Sequence, residues 1–148
     1  MRRGGDRNGG RENKINIVKK AGYQIGLSYK VRGGKLASHK FTLDCELWRG
    51  VVYIRLLPSE PNVCLYVGKT DNLFRSRMKA HLSGTFDPAS KKYKKCNEYR
   101  DYVEGKEVQV WVRKIPDIRT PFGRACTAEA EEKAAARKLK PKFSKRFD

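Results

Sequence analysis

Acidic side chains, imidazoles and thiols are what this sequence has least of, and each shortage excludes something. Sixteen Asp and Glu stand against 34 Lys and Arg, a formal charge of +18 with a pI of about 10.0. Such an imbalance argues against a cationic partner and favours a polyanion bound with salt-sensitive affinity, nucleic acid being the simplest. The only imidazoles are His39 and His81, and the four cysteines, Cys45, Cys64, Cys96 and Cys126, form no Cys-x-x-Cys pair. A structural zinc site is therefore not expected, and the thiols read as reduced core residues. No apolar run approaches the roughly 20 residues of a membrane span, and no apolar segment follows the basic start Met-Arg-Arg-Gly-Gly. The chain is expected to be cytoplasmic and to have no membrane partner. No internal repeat is visible, which argues against a solenoid.

What is present fits one domain, since 148 residues suit a single core. Residues 1–14 combine Gly with Arg and hold little to bury, predicting a solvated basic tail. Residues 15–47 form an extension with two strands. Apolar residues alternate at Tyr23, Ile25, Leu27, Tyr29 and Val31, and again at Phe41, Leu43, Cys45 and Leu47. The intervening segment 32–40 is longer than a tight hairpin turn.

The domain proper is expected at 48–148, ending in a basic C-terminal tail. Residues 51–57 (VVYIRLL) and 63–67 (VCLYV) are nearly continuous apolar runs of strand length, separated by a turn with two prolines. Val108, Val110 and Val112 alternate with Gln109, Trp111 and Arg113, predicting a third strand with one buried and one wetter face. Three helices fit the rest. Asp71 can cap one carrying Phe74, Met78 and Leu82; Cys96, Tyr99 and Val103 mark another, stopped by Gly105; Thr127 can cap a third that runs to about Leu139. The expected fold is α+β: a small central three-stranded antiparallel sheet flanked by helices, with an N-terminal two-stranded extension.

Several residues in this frame carry chemistry. Tyr53 and Tyr66 lie on adjacent predicted strands, so their hydroxyls converge if both point to one face. Gly68 ends the second strand, where the missing Cβ lets the backbone bend and a substrate approach. Arg77 and His81 are one helical turn apart beside the apolar stripe, and a guanidinium held there can grip a phosphate through two hydrogen bonds. In the last helix Ala128, Glu132, Ala135 and Leu139 make an inward stripe, which places an acid where it needs a partner; a divalent cation is one. Glu129 and Glu131 lie off that stripe and suit the helix N-terminus through its dipole.

In this order and at these intervals, Gly50-Val51-Val52-Tyr53, Tyr66-Val67-Gly68-Lys69, Arg77-x-x-x-His81, and Glu132 ahead of Lys140-Pro141-Lys142-Phe143 resemble the GIY-YIG nuclease family. The similarity covers roughly residues 50–145 and resides in the ensemble. It departs in three places. Val-Val-Tyr replaces Gly-Ile-Tyr; Ser144 stands where an asparagine is frequent; and one extra residue separates Asn72-Leu73 from the arginine, so that Ser76 falls at the family's arginine position, with Arg77 favoured and Arg75 the alternative.

The resemblance implies a metal-dependent endonuclease that hydrolyses DNA phosphodiester bonds. Its catalytic residues would be Tyr53, Tyr66, Lys69, Arg77, His81 and Glu132. One tyrosine would deprotonate water, a task needing cationic help because a free phenol has a pKa of about 10. Arg77 and Lys69 would hold the phosphate, and Glu132 would bind one Mg²⁺ or Mn²⁺. Gly68, Arg75, Lys79, Lys91, Lys92, Lys94, Lys140 and Lys142 would meet the nucleic acid, with target choice resting on the N-terminal strands, the basic loop 84–95 and the C-terminal tail. A compact restriction-type or mobile-element enzyme is the form it suggests. DNA is the expected partner and RNA the other polyanion open; double-strand cleavage by a one-cut site would call for a homodimer or a second binding event. The competing reading is a noncatalytic basic DNA- or RNA-binding module that clamps a backbone and stacks bases on its aromatics.

Overall fold

The computed structural model describes residues 13–143. Apart from its last two residues the expected tail 1–14 lies outside these, as does Ser144. Asn13 opens helix α1 (Lys14–Lys20), its side-chain oxygen accepting the Asn16 N–H at 3.0 Å. There follow β1 (Gln24–Arg32), β2 (Lys35–Phe41), a 3₁₀ turn (Leu43–Cys45), β3 (Val51–Leu56) and β4 (Cys64–Thr70). Helix α2 (Phe74–Phe86), a 3₁₀ turn (Tyr93–Cys96), α3 (Asn97–Val103), β5 (Glu107–Lys114), a hairpin of β6 (Ile118–Thr120) and β7 (Gly123–Ala125), and α4 (Ala128–Leu139) complete the described chain.

The expected three-stranded sheet is incorrect. The sheet has five antiparallel strands in the order β2-β1-β5-β3-β4, and β6 and β7 form a separate two-stranded sheet. The N-terminal strands are no extension: β1 pairs along β5, with Leu27 opposite Val110 and Tyr29 opposite Val108. The second strand also begins earlier than expected. Gly33 and Gly34 both take positive φ, 63° and 72°, and close a two-residue turn of the type that suits strand twist. The Glu104 carboxylate accepts both of their N–H groups at 2.6 Å. Strand β2 therefore spans Lys35–Phe41, and of the apolar positions beyond it Leu43 and Cys45 fall in the 3₁₀ turn and Leu47 in the turn after it.

Four helices cover this sheet among the described residues, one more than expected, because α1 begins where a tail was anticipated. On one face α2 and α3 pack Phe74, Met78, Leu82, Tyr99 and Val103 against Tyr29, Val51, Tyr53, Tyr66 and Val110. On the other, α1 and α4 pack Val18, Ala128 and Leu139 against Val52, Ile54, Val67 and Trp111. Trp111 is buried there, while Glu107, Gln109 and Arg113 on the same face of β5 stay half-exposed, so that face is wetter than the fully buried one of Val108, Val110 and Val112. Neither expected helix cap forms. Leu73, not Asp71, precedes α2, whose first N–H groups are taken by the carbonyls of Trp48 and Glu46, and Thr127 makes no side-chain cap bond to α4. None of the described helices is long and apolar enough to cross a membrane.

Candidate active site

Strand alternation decides which side chains meet. On β3, Val51, Tyr53 and Arg55 face α2, and Val52, Ile54 and Leu56 face α4. Tyr53 lies opposite Gly68 and Arg55 opposite Tyr66, so both tyrosines reach the α2 face. Their ring centroids are 6.1 Å apart. From α2, Arg77 Nε donates to the Tyr53 hydroxyl at 3.2 Å. The structure thus brings Tyr53, Tyr66 and Arg77 together, with both rings buried.

Gly68 is part of this group for a reason other than the expected bend. It sits inside β4, and a Cβ built on it would fall 2.6 Å from Tyr66 Cε2 and 2.7 Å from the Tyr53 hydroxyl oxygen. The absent side chain is the space the phenol tips occupy. Gly68→Ala should therefore displace both rings and, where these rings serve cleavage as the family resemblance implies, reduce it by about a hundredfold or more, since misplacing a catalytic group by about 1 Å has that effect. DNA binding, spread over many basic side chains, should change little. Cleavage and filter-binding assays on the same preparation check this.

Lys69 and Glu132 lie across the sheet. Lys69 stands opposite Val52, so it leaves β4 on the α4 face, where its Nζ is 3.7 Å from the Asp71 carboxylate. The C-terminal end of α4 is fixed at the start of β4: Lys14 Nζ donates to the Leu139 carbonyl at 2.6 Å, and the Lys142 and Phe143 N–H groups bond the Cys64 and Leu65 carbonyls. Lys140 makes the sharp turn with φ 50°, which lets the chain wrap the edge of the sheet and carry Phe143 to the α2 face. Glu132 is seven residues back from Leu139, roughly 10 Å along the helix axis, and so is level with the Val67–Lys69 segment of β4. Glu131, Ala134 and Lys138 line the cleft between α1 and α4, so the flank carrying Glu132 faces the outer edge of β4.

The Glu132 environment is distinctive. Its side chain is 6% exposed, and Oε2 is buried with no hydrogen-bond partner among the described residues. A buried anionic oxygen is costly when unpaired, and a cation is the partner that suits it. Among the described residues no three His, Cys, Asp or Glu side chains gather to hold a metal. A divalent ion at Glu132 would take its other ligands from water and phosphate oxygens, as Mg²⁺ readily does.

The remaining expected residues scatter. His81 is sealed in the core, its Nε2 3.0 Å from the Tyr29 hydroxyl and its Nδ1 3.3 Å from Thr85 Oγ1. Arg75 is drawn to Glu46 at 3.5 Å, away from the tyrosines, which leaves Arg77 as the arginine at the site. Lys79, Lys91, Lys92, Lys94 and Lys140 are exposed, and Lys142 lies 4.7 Å over the Tyr102 ring. Glu131 does not merely face the helix dipole: Arg113 donates to it at 2.6 Å, as does Tyr23. Burial, then the hydrogen bond to Glu131, holds the Tyr23 phenol far above its ordinary range, so it stays protonated.

Arg55 was missed. It is fully buried, its guanidinium 4.5 Å from the Tyr66 ring centroid and 5.7 Å from that of Tyr99. The signal was there: an arginine interrupts the apolar run VVYIRLL two residues after Tyr53, hence on the same face. Two guanidinium groups, of Arg55 and Arg77, therefore flank the tyrosine pair.

No family model matches the chain, and no curated protein does either. Solved structures are similar, two of them as follows. Bacteriophage T4 EndoII, in a glutamate-to-alanine mutant, shares 16% identity over 90% of this chain and 99% of its own, with a TM-score of 0.63. The restriction endonuclease HPY188I in complex with product DNA shares 14% over 93% of this chain and 86% of its own, with a TM-score of 0.50. At such identities the likeness is one of fold: the chain has a fold that DNA endonucleases use.

Proposed function

We propose that this protein is a DNA endonuclease of the GIY-YIG type, hydrolysing phosphodiester bonds at the outer edge of β4. The observation that carries the reading is the Arg77 guanidinium on the Tyr53 hydroxyl, packed beneath Gly68 and beside Tyr66. That groups a phenol, a fixed cation and a backbone position without a side chain in one cluster. Arg77 holds a phosphate oxygen and supplies the positive charge a phenolate requires. Tyr53 or Tyr66 takes the proton from the attacking water. Lys69, whose Asp71 partner is itself exposed, swings to the phosphate from the α4 face. Glu132 holds the divalent cation, Mg²⁺ or Mn²⁺, which when bound supplies charge for the departing oxygen. His81 acts from behind, holding the Tyr29 and Tyr99 layer under Arg55.

The complete burial of Tyr53 favours one other reading, a noncatalytic DNA- or RNA-binding module in which the two tyrosines are core residues. A pool of random-sequence supercoiled DNA, incubated with Mg²⁺, Mn²⁺ or EDTA, separates the two. The nuclease reading expects nicked molecules with either metal and none with EDTA. Retarded but intact DNA under every condition would favour the module.

A further inference from the structure

We infer that the β6–β7 hairpin is a DNA-probing arm that drives Phe122 between stacked base pairs beside the cleaved phosphate. The inference rests on the nuclease reading for its substrate. Phe122 is 100% exposed at the hairpin tip, a large apolar ring held wholly in water. The tip is built to hold it there. The Thr120 hydroxyl donates to the Gly123 carbonyl at 2.8 Å and accepts the Phe122 N–H at 3.1 Å, and Gly123 supplies the positive φ, 119°, that closes the turn. An ordered, solvent-directed aromatic after a proline has the character of the apolar wedges that part base steps.

A second observation names the partner. Arg119 and Arg124 lie directly opposite each other across the hairpin, both exposed, and among the described residues neither meets a carboxylate. Like charges facing across a strand pair oppose the hairpin they sit on. A polyanion removes that cost, and guanidinium groups on either side of the ring match the phosphates flanking an opened base step.

The hairpin also stands in the right place. The Ile115 N–H bonds the Gly50 carbonyl at 2.9 Å, and Lys114 lies opposite Val51, which lies opposite Thr70. Its root is thus at the Gly68–Thr70 end of the sheet. Its other arm runs through Cys126 and Thr127 into α4, the helix of Glu132. Three-residue arms carry the ring about 10 Å from that root.

Permanganate footprinting on random-sequence supercoiled DNA tests this with the full chain and with EDTA present, so that the DNA stays uncut. Wild type at saturation should create hyper-reactive, unstacked thymines, favouring the easily opened pyrimidine–purine steps. Phe122→Ala, compared at equal occupancy, should lose them while binding about tenfold more weakly. Phe122→Leu, still an apolar wedge, should keep them. All three proteins should melt together, because the ring is fully exposed. DNA that is bound by wild type without reactive thymines, or an unchanged pattern in Phe122→Ala, would overturn the wedge even if metal-dependent nicking is intact. Binding to single-stranded RNA alone would overturn it together with the nuclease reading.

Discussion

Glu132→Met is expected to abolish metal-dependent cleavage while leaving the protein more stable. The two effects have one cause. In the folded chain this carboxylate keeps a buried oxygen that nothing among the described residues hydrogen-bonds. Leaving a buried polar group unmet costs about 1–3 kcal/mol, and an apolar side chain of similar shape removes that cost. Metal-free Glu132→Met should therefore melt at or above the wild-type temperature. A residue that merely braced the fold would behave in the opposite way. Cleavage should fall by roughly a thousandfold, the scale on which losing a preorganised charge at a reacting phosphate acts. Mn²⁺ provides a readout independent of activity: at a hundredfold excess over its Kd it should stabilise wild type by about 2.7 kcal/mol and the variant not at all. Calorimetry and plasmid nicking on both proteins check the set. A variant that unfolds more easily and still cuts would remove Glu132 from the site.

Arg77→Lys should be nearly as damaging as Arg77→Ala, each lowering the cleavage rate by about a hundred- to a thousandfold. Lysine retains the charge but not the planar fork that donates to Tyr53 and, in the proposed site, to a phosphate at once. Affinity should move little, because more than thirty basic side chains share the electrostatic attraction. Single-turnover rates at saturating enzyme separate the two quantities. Arg75→Ala is the internal control, since Arg75 faces Glu46 and should leave the rate near wild type. Loss of activity in Arg75→Ala with Arg77→Ala unimpaired would reverse the assignment of the arginine.

Much of the site-bearing half of the chain was legible because its signals are local. The apolar runs at 51–57 and 63–67, the four-residue recurrence of Phe74, Met78 and Leu82, and the inward stripe of α4 each depend on neighbours a few residues away. All three match observed elements. The sheet beyond β3 and β4 was not legible in this way. Pairing of β1 with β5 joins Leu27 to Val110, and no short-range pattern records a partner that distant. Residues 41–47 alternate like a strand, yet Leu47 is 63% exposed while Cys45 is buried in a 3₁₀ turn, so the alternation marked no sheet face. Gly33-Gly34 was the stronger signal, a pair suited to a two-residue turn. The α1 helix likewise had its cue in Asn13, a capping residue ahead of Ile15, Ile17 and Val18.

The site itself was half legible. Tyr53, Tyr66 and Arg77 meet as their spacing suggests. The spacing did not reveal that Glu132 and Lys69 approach from the opposite face of the same edge strand, because which helix covers which face depends on the five-stranded topology. Nor did the one-turn separation of Arg77 and His81 distinguish a side chain at the site from one sealed behind it.

Paramagnetic NMR tests the central claim most directly, that one cation at Glu132 and two phenols across β4 share a site. With ring-labelled tyrosines, substoichiometric Mn²⁺ should broaden the Tyr53 and Tyr66 signals in wild type and leave both sharp in Glu132→Met. Rings that stay sharp in wild type while Mn²⁺ binds, or that broaden equally in the variant, would contradict it.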